Sequence, residues 1–576
     1  MRYFLKKSTN KTGVYLQIYE AHYIPGKGGR NKSFKALGYV DELIKQGIQD
    51  PISHYQKEVD KLNEEQTNLD AKQIGSVSVN KNVGYFLLKA MIDKLNIDKT
   101  LKIMTSNKQF KFEVSDFLRN MIYAQVVSPC SKHTAYERVI PELYNYKEGS
   151  LSYDQILAGT EFIGSDYPKY IELFNVAISK IWKRDTRKVY FDCTNYFFEI
   201  DVPRGDLQKG PCKSGTHNPI IGQALLLDGN QIPIGMQMYP GNKSEKPYIR
   251  SLIEEMKERF DITGKVIQVA DKGLNCARNI YSAVKEANDG YIFSKSVHGK
   301  NLSDKEKKWV LLSDDLANKW FYVNDKEGKL IYKYKECIDE YEYSFTPDEE
   351  GAKPVKFKAK EKRIVTYNPS LAKKQRLQIQ KEVDKVNALM GVKDAARKEY
   401  GDAVKYVTFA AFDDDGVQVE IATNLNQAKI DEDMEYAGYN LIVTSETNMS
   451  SRQIYEVYHN LWRIEESFRI MKSYLDARPA FLQKRDSIYG HFLINYLALV
   501  ILRLLELKQF NDELAINQIV SYIRDFRVTE TAEKSYINTT TNNTTYKFIK
   551  SSIGLAKLGN LYLKEKDIIN ILNCEL

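Results

Sequence analysis

Three polar residues recur at seven-residue intervals along one stretch of the chain: Tyr458, Glu465 and Lys472. Seven residues are close to two turns of an α-helix, so a phenol, a carboxylate and an ammonium group would form one line that drifts by only about 20° per step. Taken alone, such a line is typical of an ordinary charged helix flank. It becomes a candidate site if the fold brings further acidic groups to it.

Two aspartates are candidates for those groups. Asp192 lies in the aromatic run VYFDCTN, and Asp271 directly follows the apolar run KVIQVA. Both runs are predicted strands, in which aspartate is depleted because its charge must find a hydrogen bond, a base or a metal. The structural alternatives are a hydrogen-bonded acid at a strand edge for Asp192 and a turn aspartate that caps the next helix for Asp271.

Asp192, Asp271 and Glu465 together would place three carboxylates at one edge of a sheet. Divalent cations relieve the repulsion of such a group, and hard oxygen ligands favour Mg²⁺ or Mn²⁺ over Zn²⁺. Two such ions about 4 Å apart activate a water or a 3′-hydroxyl and stabilise the leaving oxygen of a phosphodiester. The chemistry indicated is phosphoryl transfer on nucleic acid.

Residues 450–479 are predicted to form the amphipathic helix that carries the polar line. Ser450 is the predicted N-cap, and one apolar stripe is predicted to pack into the core. The stripe consists of Ile454, Val457, Leu461, Ile464, Phe468, Met471 and Leu475. Glu465 and Lys472 would therefore lie at the edge of a buried face.

The order of the predicted elements indicates the fold that positions the two aspartates. From Lys188, three β-rich runs separated by the turn pairs Asp228-Gly229 and Pro240-Gly241 predict an antiparallel meander. A helix, a buried strand, a second helix and another strand follow. This is the ribonuclease-H-like layout, so the predicted fold class is multidomain α+β with a ribonuclease-H-like core, a mixed sheet with flanking helices.

Composition shifts along the chain predict that a β-rich insertion interrupts this core and that β-hairpin and helical regions precede it. The first 50 residues alternate apolar and polar around the turn-rich PGKGGRNK, and the stretch after residue 297 is charged and Tyr-rich. The predicted regions are a basic β-rich unit at 1–53, a helical region for DNA binding or dimerisation at 54–184, the first part of the core at 185–297, the insertion at 298–435, the second part of the core with the catalytic helix at 436–510, and a C-terminal helical region at 511–576.

Overall composition permits a polyanionic partner without requiring one, because 84 Lys and Arg stand against 76 Asp and Glu, a net charge of +8. The six cysteines, Cys212 among them, include no CxxC pair, which indicates neither a zinc knuckle nor a disulfide framework. The N-terminal segment lacks the apolar core of a signal peptide. The apolar run from Phe492 to Leu502 is too short to span a bilayer. We expect a core helix there, no membrane partner and a cytoplasmic location.

With these residues in view, the chain resembles the DDE transposases of bacterial insertion sequences, in the branch with the signature Y-x2-R-x3-E-x6-K. The segment YHNLWRIEESFRIMK supplies Tyr458, Glu465 and Lys472 at the required spacing, while Leu461 stands at the arginine position. FDCTNYFFE and VADKGLN are similar to that family's first and second aspartate motifs. The gap between Asp271 and Glu465 is more than twice that between the two aspartates, which matches the β-rich insertion of the family.

The resemblance implies catalytic and metal-binding roles for the three carboxylates. Asp192 would bridge two ions, and Asp271 and Glu465 would each hold one. Tyr458 and Lys472 would contact the phosphate next to the scissile bond. On the same flank of the helix, a further candidate for a contact to the DNA backbone is Arg469.

The resemblance also implies cut-and-paste transposition, in which hydrolysis at the ends of the element is followed by attack of the freed 3′-hydroxyl on target DNA. The implied partners are double-stranded DNA, both the terminal inverted repeats and the target, and a second copy of the chain in a synaptic homodimer. The implied location is the bacterial cytoplasm, with association with the nucleoid when bound to DNA.

Two alternatives stay open. One is a ribonuclease-H-like, metal-dependent nuclease that cuts DNA without joining it. The other is a DNA-binding protein derived from a transposase that has lost catalysis, against which the presence of Asp192, Asp271 and Glu465 argues.

Overall fold

The structure is a computed structural model. It describes residues 2–24, 28–70, 80–106, 110, 112–147, 150–211, 217–297, 302–312, 319–349, 351–390, 397–411, 421–478, 480–532, 535–541 and 543–576. Part of the predicted turn, residues 25–27, lies outside the described residues, as do Cys212 and residue 479. The chain divides into two compact units, Met1–Ser78 and Val79–Leu576.

The first unit is an antiparallel sheet with a helix packed on it. Its strands are β1 (Arg2–Asn10), β2 (Gly13–Ile24) and β3 (Gly28–Tyr39), in that order across the sheet, and its helices are α1 (Val40–Lys45) and α2 (Pro51–Asp70). Leu16 and Ile18 of β2 are fully buried, as is Val59 of α2. The predicted hairpin is the β2–β3 pair, to which β1 adds a third strand.

The second unit begins with the predicted succession of helices. Its first elements are β4 (Asn80–Asn82), α3 (Phe86–Leu95), α4 (Asp98–Thr105), α5 (Val114–Val127), α6 (Lys132–Thr134), α7 (Tyr153–Ser165) and α8 (Tyr167–Ile181). Apolar residues recur on their inner faces, for example Phe86 and Phe117, which are fully buried. Burial of these faces in one core stabilises short helices that would be marginal in isolation.

The core sheet follows in the predicted order, three antiparallel strands and then alternating helices and strands. Its elements are β5 (Lys188–Phe197), β6 (Ile220–Leu227), β7 (Pro233–Pro240), α9 (Tyr248–Arg259), β8 (Ile267–Ala270), α10 (Ala277–Tyr281) and β9 (Gly290–Lys295). The antiparallel pairs are β5–β6 and β6–β7, whereas β8 runs parallel to both β5 and β9. The fold is therefore a multidomain α+β architecture with a large mixed sheet.

The region predicted as an insertion contributes to this sheet. Its elements, with the core strand that follows them, are α11 (Asp304–Leu311), β10 (Phe321–Asn324), β11 (Leu330–Phe345), β12 (Val355–Tyr367), α12 (Pro369–Met390), α13 (Arg397–Tyr400), β13 (Val407–Ala411), β14 (Ile421–Leu425), α14 (Gln427–Glu435) and β15 (Tyr439–Thr444). The full strand order is β10-β11-β12-β15-β9-β8-β5-β6-β7. Helices α12, α13 and α14 pack around a small core of their own that includes Ile379, Val386 and Tyr406, whereas α11 joins the core under α9 through Val310.

Side chains alternate between two cores on the opposite faces of the sheet. On β5, Val189 and Phe191 join the core under α9, whereas Tyr190 and Tyr196 join the larger helical core. Asp192 shares the face of the two tyrosines, because strand residues two apart point the same way. The sheet is thus covered on both sides, and Asp192 lies on its helical side.

The C-terminal part supplies the helices that cover this face and a small second sheet. Its elements are α15 (Ser451–His459), α16 (Trp462–Arg469), α17 (Arg485–Leu504), α18 (Ile516–Asp525), β16 (Arg527–Ala532), β17 (Ser535–Asn538), α19 (Asn543–Ile553), β18 (Tyr562–Lys564) and α20 (Glu565–Leu572). Strands β16 to β18 form this second sheet together with β4, in the order β18-β17-β16-β4.

Helix α17 is the predicted core helix. Among the described residues, it is the one helix, Arg485–Gln509 with its terminal π-turn, that is long and apolar enough to cross a membrane by length and composition. Its most apolar stretch is entirely buried within the protein. Some buried polar groups of the helix have protein partners, for example the side-chain amide of Asn495, which donates to the carbonyl of His491. These are the features of a helix at the centre of a protein core.

Candidate active site

Asp192 and Asp271 lie next to each other at one edge of the core sheet. The parallel pairing of β5 and β8 ends with Phe191 opposite Ala270, so the two aspartates are the next residues on adjacent strands. Adjacent strands are about 4.8 Å apart. Two carboxylates contributed by distant parts of the sequence therefore lie side by side, as the sequence analysis predicts.

Asp271 accepts two hydrogen bonds at one oxygen. Its Oδ1 lies 2.8 Å from the hydroxyl of Ser294 and 3.2 Å from that of Tyr458, both of which donate. The Oδ1 of Asp192 accepts the backbone N–H of Cys193 at 2.7 Å. Both aspartates are partly exposed, Asp192 in the middle of β5 and Asp271 directly after the end of β8.

The predicted amphipathic helix covers the same edge, but it is interrupted. Ser450 is its N-cap, as predicted, and forms a capping box with Gln453. All seven residues of the apolar stripe are buried in the helical core, again as predicted. The predicted single helix is wrong in one respect: a turn at Asn460 and Leu461 divides it into α15 and α16, and a π-helical turn at Ile470–Tyr474 ends it. Asn460 and Leu461 keep helical backbone angles, so the stripe stays packed across the break.

Glu465 lies exposed in the first turn of α16, close enough to Asp271 for the two negative charges to interact. Desolvation raises the pKa of Glu465, and the negative charge of Asp271 raises it further. Within the described part of the chain, no basic side chain forms an ion pair with Glu465, so this carboxylate lies in a field of the same sign. A positively charged ligand at this position would relieve the repulsion.

Tyr458 and Lys472 also lie at this edge. The phenol of Tyr458 is largely buried, and desolvation together with the charge of Asp271 raises its pKa far above the usual range, so it is a hydrogen-bond donor at neutral pH. The Nζ of Lys472 donates to the Thr194 hydroxyl at 2.6 Å and lies 5.3 Å from the centre of the Tyr196 ring. Thr194 and Asp192 share a face of β5, so Lys472 lies beside the first aspartate.

Arg469 is directed elsewhere. Its side chain is 66% exposed and pairs with Glu466 at 3.3 Å. Leu461, at the position where the signature has arginine, is buried in the core. Nor does Arg463 supply the missing charge to the site, because its guanidinium pairs with Glu466, Glu506 and Asp512.

A buried arginine on α17 fixes α16 in place. Arg503 is completely buried, and its Nη1 donates to Glu466 at 3.0 Å and to Glu506 at 2.6 Å. Its Nη2 donates to the backbone carbonyl of Arg463 at 3.0 Å and to the hydroxyl of Ser467 at 2.9 Å. The bonds to Glu466, to Ser467 and to the Arg463 carbonyl hold the helix that carries Glu465 from the side opposite the site, while the bond to Glu506 stays within α17 and its terminal π-turn.

Sequence reasoning missed Ser294, which donates to Asp271. A signal was present, since Ser294 is a small polar residue within the apolar strand YIFSKS. It is buried at 2% exposure, and a buried hydroxyl is expected to have a partner. The sequence alone does not identify that partner, because β9 and β8 come together only in the folded sheet.

The donor set fits a hard divalent cation in its chemistry, since it consists of carboxylate oxygens. Two of them lie at neighbouring positions on adjacent strands, where the parallel pairing of β5 and β8 ends, and desolvation together with the charge of Asp271 raises the pKa of the third. Across the described ranges, however, no three Asp, Glu, His or Cys side chains converge closely enough to chelate a metal ion. The three carboxylates face one edge without forming a closed ligand shell.

Comparisons with known proteins agree with the chemistry of these residues. The model of one protein family, described as "Transposase DDE domain", matches residues 200–501. This range contains Asp271, Glu465 and Lys472, and Asp192 lies just before it. No curated protein matches the chain significantly.

Among solved structures, the chain is similar to a cryo-EM structure of the piggyBac transposase synaptic complex with hairpin DNA. The identity is 9%, the match covers 86% of this chain and 85% of that chain, and the TM-score is 0.35. A likeness at this level carries no further argument.

Proposed function

The chain belongs to the transposase DDE domain family, because the family match spans more than half of its length, and from this premise we propose that it is an active DNA transposase. It would cut DNA at the ends of an insertion sequence and join the freed 3′-hydroxyl to target DNA. The observation that carries the proposal is the placement of Asp192 and Asp271 at neighbouring positions on adjacent strands, with Glu465 close enough to Asp271 for their charges to interact.

We further propose a bacterial insertion-sequence transposase of the branch with the Y-x2-R-x3-E-x6-K signature. The positions of Tyr458 and Lys472 beside the two aspartates support this assignment. Leu461 departs from the signature and is buried, so the contact made by the signature arginine is absent here or comes from another residue.

The proposed catalytic core is ribonuclease-H-like. Its support is the strand order β7-β6-β5-β8-β9 with an antiparallel first half and a parallel second half. The domain boundaries given in the sequence analysis, including an insertion at 298–435, remain part of this proposal.

Asp192, Asp271 and Glu465 would hold two divalent cations, Mg²⁺ or Mn²⁺. When bound, such cations activate a water or a 3′-hydroxyl and stabilise the leaving oxygen. The protein's own contribution is orientation. Ser294 and Tyr458 fix the Asp271 carboxylate through hydrogen bonds at 2.8 and 3.2 Å, and the packed strand fixes Asp192.

Lys472 would neutralise the phosphate next to the scissile bond. Its ammonium group is held beside Asp192 by Thr194, and a lysine so placed is a point charge for a phosphate oxygen. Tyr458 would exchange its bond with Asp271 for one to the same phosphate. We include Arg469 as a contact to the DNA backbone farther from the cut, since its side chain is exposed on the same helix.

The proposed partners are double-stranded DNA, at the terminal repeats and at the target, and a second copy of the chain that brings two ends together. The proposed location is the cytoplasm, with association with the nucleoid when the protein is bound to DNA.

The test is a strand-transfer assay with the full-length protein, Mg²⁺, a labelled duplex that carries the inverted repeat flanking the gene, and a supercoiled target plasmid. We expect nicked or cut ends and a slower product in which the labelled strand is joined to the plasmid. Cutting without joining would favour the nuclease alternative. Binding of the repeat without cutting, in both Mg²⁺ and Mn²⁺, would favour the inactive DNA-binding protein.

A further inference from the structure

We propose that the solvent face of helix α12 binds the DNA duplex that enters the candidate active site, through Lys373, Lys374 and Lys381. The inference rests on the proposed function, because it names the surface by which the same reaction would hold DNA beside the cut. It assigns a DNA-binding role to a helix that carries no catalytic motif and that lies between Asp271 and Glu465 in the sequence.

Helix α12 has one buried side and one fully solvated side. Ala372, Ile379 and Val386 are its buried residues, and the last two join the small core around Tyr406. At about 100° per residue, these three lie within a sector of about 40°. The opposite sector carries Lys373, Lys374, Leu377 and Lys381, all of them exposed.

The charges on this solvated side are not neutralised by the protein. In the described part of the chain, Lys373, Lys374 and Lys381 form no ion pair. Of the nearby acids, Glu382 pairs with Lys405 at 3.2 Å. Asp384 accepts a hydrogen bond from the neutral amide of Gln380 at 2.9 Å, so one negative charge stays among the lysines on this side of the helix.

The apolar residue among the three lysines, Leu377, is 56% exposed. A charged helix face is most often only solvated, so charge alone does not identify its partner.

The position of helix α12 relative to the candidate active site indicates DNA as the partner of this face. Strand β12 runs antiparallel to β15 and pairs Tyr367 with Tyr439, and β15 runs antiparallel to β9. The end of β12 therefore lies on the same edge of the sheet as Asp192 and Asp271. Helix α12 begins two residues later, at Pro369.

The distance along that edge matches a DNA substrate. Four strand spacings of about 4.8 Å separate β12 from β5, so the start of α12 lies about 19 Å from Asp192 when measured across the strands, along the edge. In the strand direction it lies five residues beyond Ile364, which is level with Asp192. DNA rises about 3.4 Å per base pair, so a duplex lying along the edge would meet α12 roughly six base pairs from the cut. Lysine ammonium groups are suited to phosphate contacts that carry no sequence information.

The experiment measures binding of a 40-base-pair duplex of arbitrary sequence to the full-length protein over a range of salt concentrations. The test variant combines Lys373→Gln, Lys374→Gln and Lys381→Gln. Each phosphate contact contributes about 0.9 to the slope of log affinity against log salt. We expect the slope of the variant to be smaller by about 2 to 3 and its affinity at low salt to be at least about tenfold weaker.

A matched control removes the same charge from the same region. Lys356, Lys358 and Lys360 are exposed at the other end of β12, opposite Ser344, Glu342 and Glu340 in register. Replacing these three lysines with glutamine should leave the slope within about 0.5 of the wild-type value. A triple arginine variant of the α12 lysines should bind like the wild type, because it keeps the positive charge. Urea unfolding of the glutamine variant itself, with a transition at the wild-type position, shows that this variant has kept its fold.

Hydroxyl-radical footprinting on the element end then locates the contact. Protection roughly six base pairs from the cut should be present in the wild type and the control and absent in the α12 glutamine variant.

Equal losses of DNA affinity in the two glutamine variants, or no loss in the α12 variant, would overturn the proposal. Unchanged DNA binding with a changed oligomeric state would overturn it too and would assign the face to a second copy. A wild-type protein that binds no DNA would instead refute the proposed function.

Discussion

Helices α16 and α12 are both strongly charged, but they use their charges in opposite ways. On α16, Arg463 and Glu466 pair with residues inside the protein, among them the fully buried Arg503. On α12, Lys373 and Lys374 have no such partners among the described residues. Charges paired within the protein fix the position of a helix, whereas unpaired charges leave it able to bind something else. Charge pairing therefore separates the helix that positions the site from the helix proposed to hold its substrate.

The largest effect on DNA cleavage is expected for the three carboxylates of the candidate active site. Asp192→Asn, Asp271→Asn and Glu465→Gln should each lower the rate of DNA cleavage by at least about 10³-fold, because a neutral amide no longer supports a divalent cation. DNA affinity should change little, since phosphate contacts elsewhere supply it. Cleavage rates and gel-shift affinities measured on the same duplex give both values, and full cleavage by any of the three variants contradicts the metal assignment.

A change of ligand type separates metal binding from a merely structural role. Asp271→Cys should be inactive with Mg²⁺ and regain part of its activity with Mn²⁺, since a thiolate is a softer ligand. Restoration by Mg²⁺ at the same level would mean that Asp271 acts in another way.

The next largest effect concerns stability and the buried charge on α17. Arg503→Met leaves Glu466 and Glu506 close together with Arg463 as their remaining cation, and removal of one partner from a buried network costs about 3–5 kcal/mol. We expect an earlier denaturant unfolding transition and lower cleavage activity, because α16 carries Glu465. A triple variant with methionine also at Glu466 and Glu506 should unfold later than Arg503→Met. If the triple variant does not unfold later, unpaired negative charge is not the cause of the destabilisation in Arg503→Met.

Much of this arrangement follows from sequence patterns, because they are local. The stripe from Ile454 to Leu475 repeats with the helix period, and a helix period predicts burial whatever the partner. Asp192 and Asp271 were identifiable because aspartate is out of place in an apolar strand. The cap at Ser450 followed from residue type alone.

What could not be predicted depends on contacts between distant segments. The turn at Asn460 and Leu461 divides a continuous helical pattern, because packing along the sheet outweighs propensity. The hydrogen bond from Ser294 to Asp271 requires the pairing of β9 with β8. The joining of β12 to β15 likewise depends on strand register, which the composition of a charged, Tyr-rich segment does not specify.

A moderate effect is expected for the lysine beside Asp192. Lys472→Ala should lower the cleavage rate by about 10- to 100-fold, less than loss of a carboxylate, because it removes one charge near the phosphate and leaves the cation ligands in place. Thr194→Val removes only the hydroxyl that holds Lys472, 2.6 Å from its Nζ, and should cost less still. Single-turnover kinetics at saturating protein measure both, and a Thr194→Val effect equal to that of Lys472→Ala would show that orientation accounts for the whole contribution.

The smallest effect is expected for the α12 lysines on the free energy of unfolding. This effect gives the most direct comparison of α12 with α16. The three α12 glutamine substitutions should change the free energy of unfolding by no more than about 0.5 kcal/mol, because solvated charges without partners contribute little to the folded state. Arg463→Gln on α16 should lower it by about 1–3 kcal/mol, since Glu466 and Glu506 then lose a charged donor. Urea unfolding followed by tryptophan fluorescence compares the two variants under one condition. Equal destabilisation would mean that the α12 lysines are part of the folded core, and the contrast between the two helices would then be wrong.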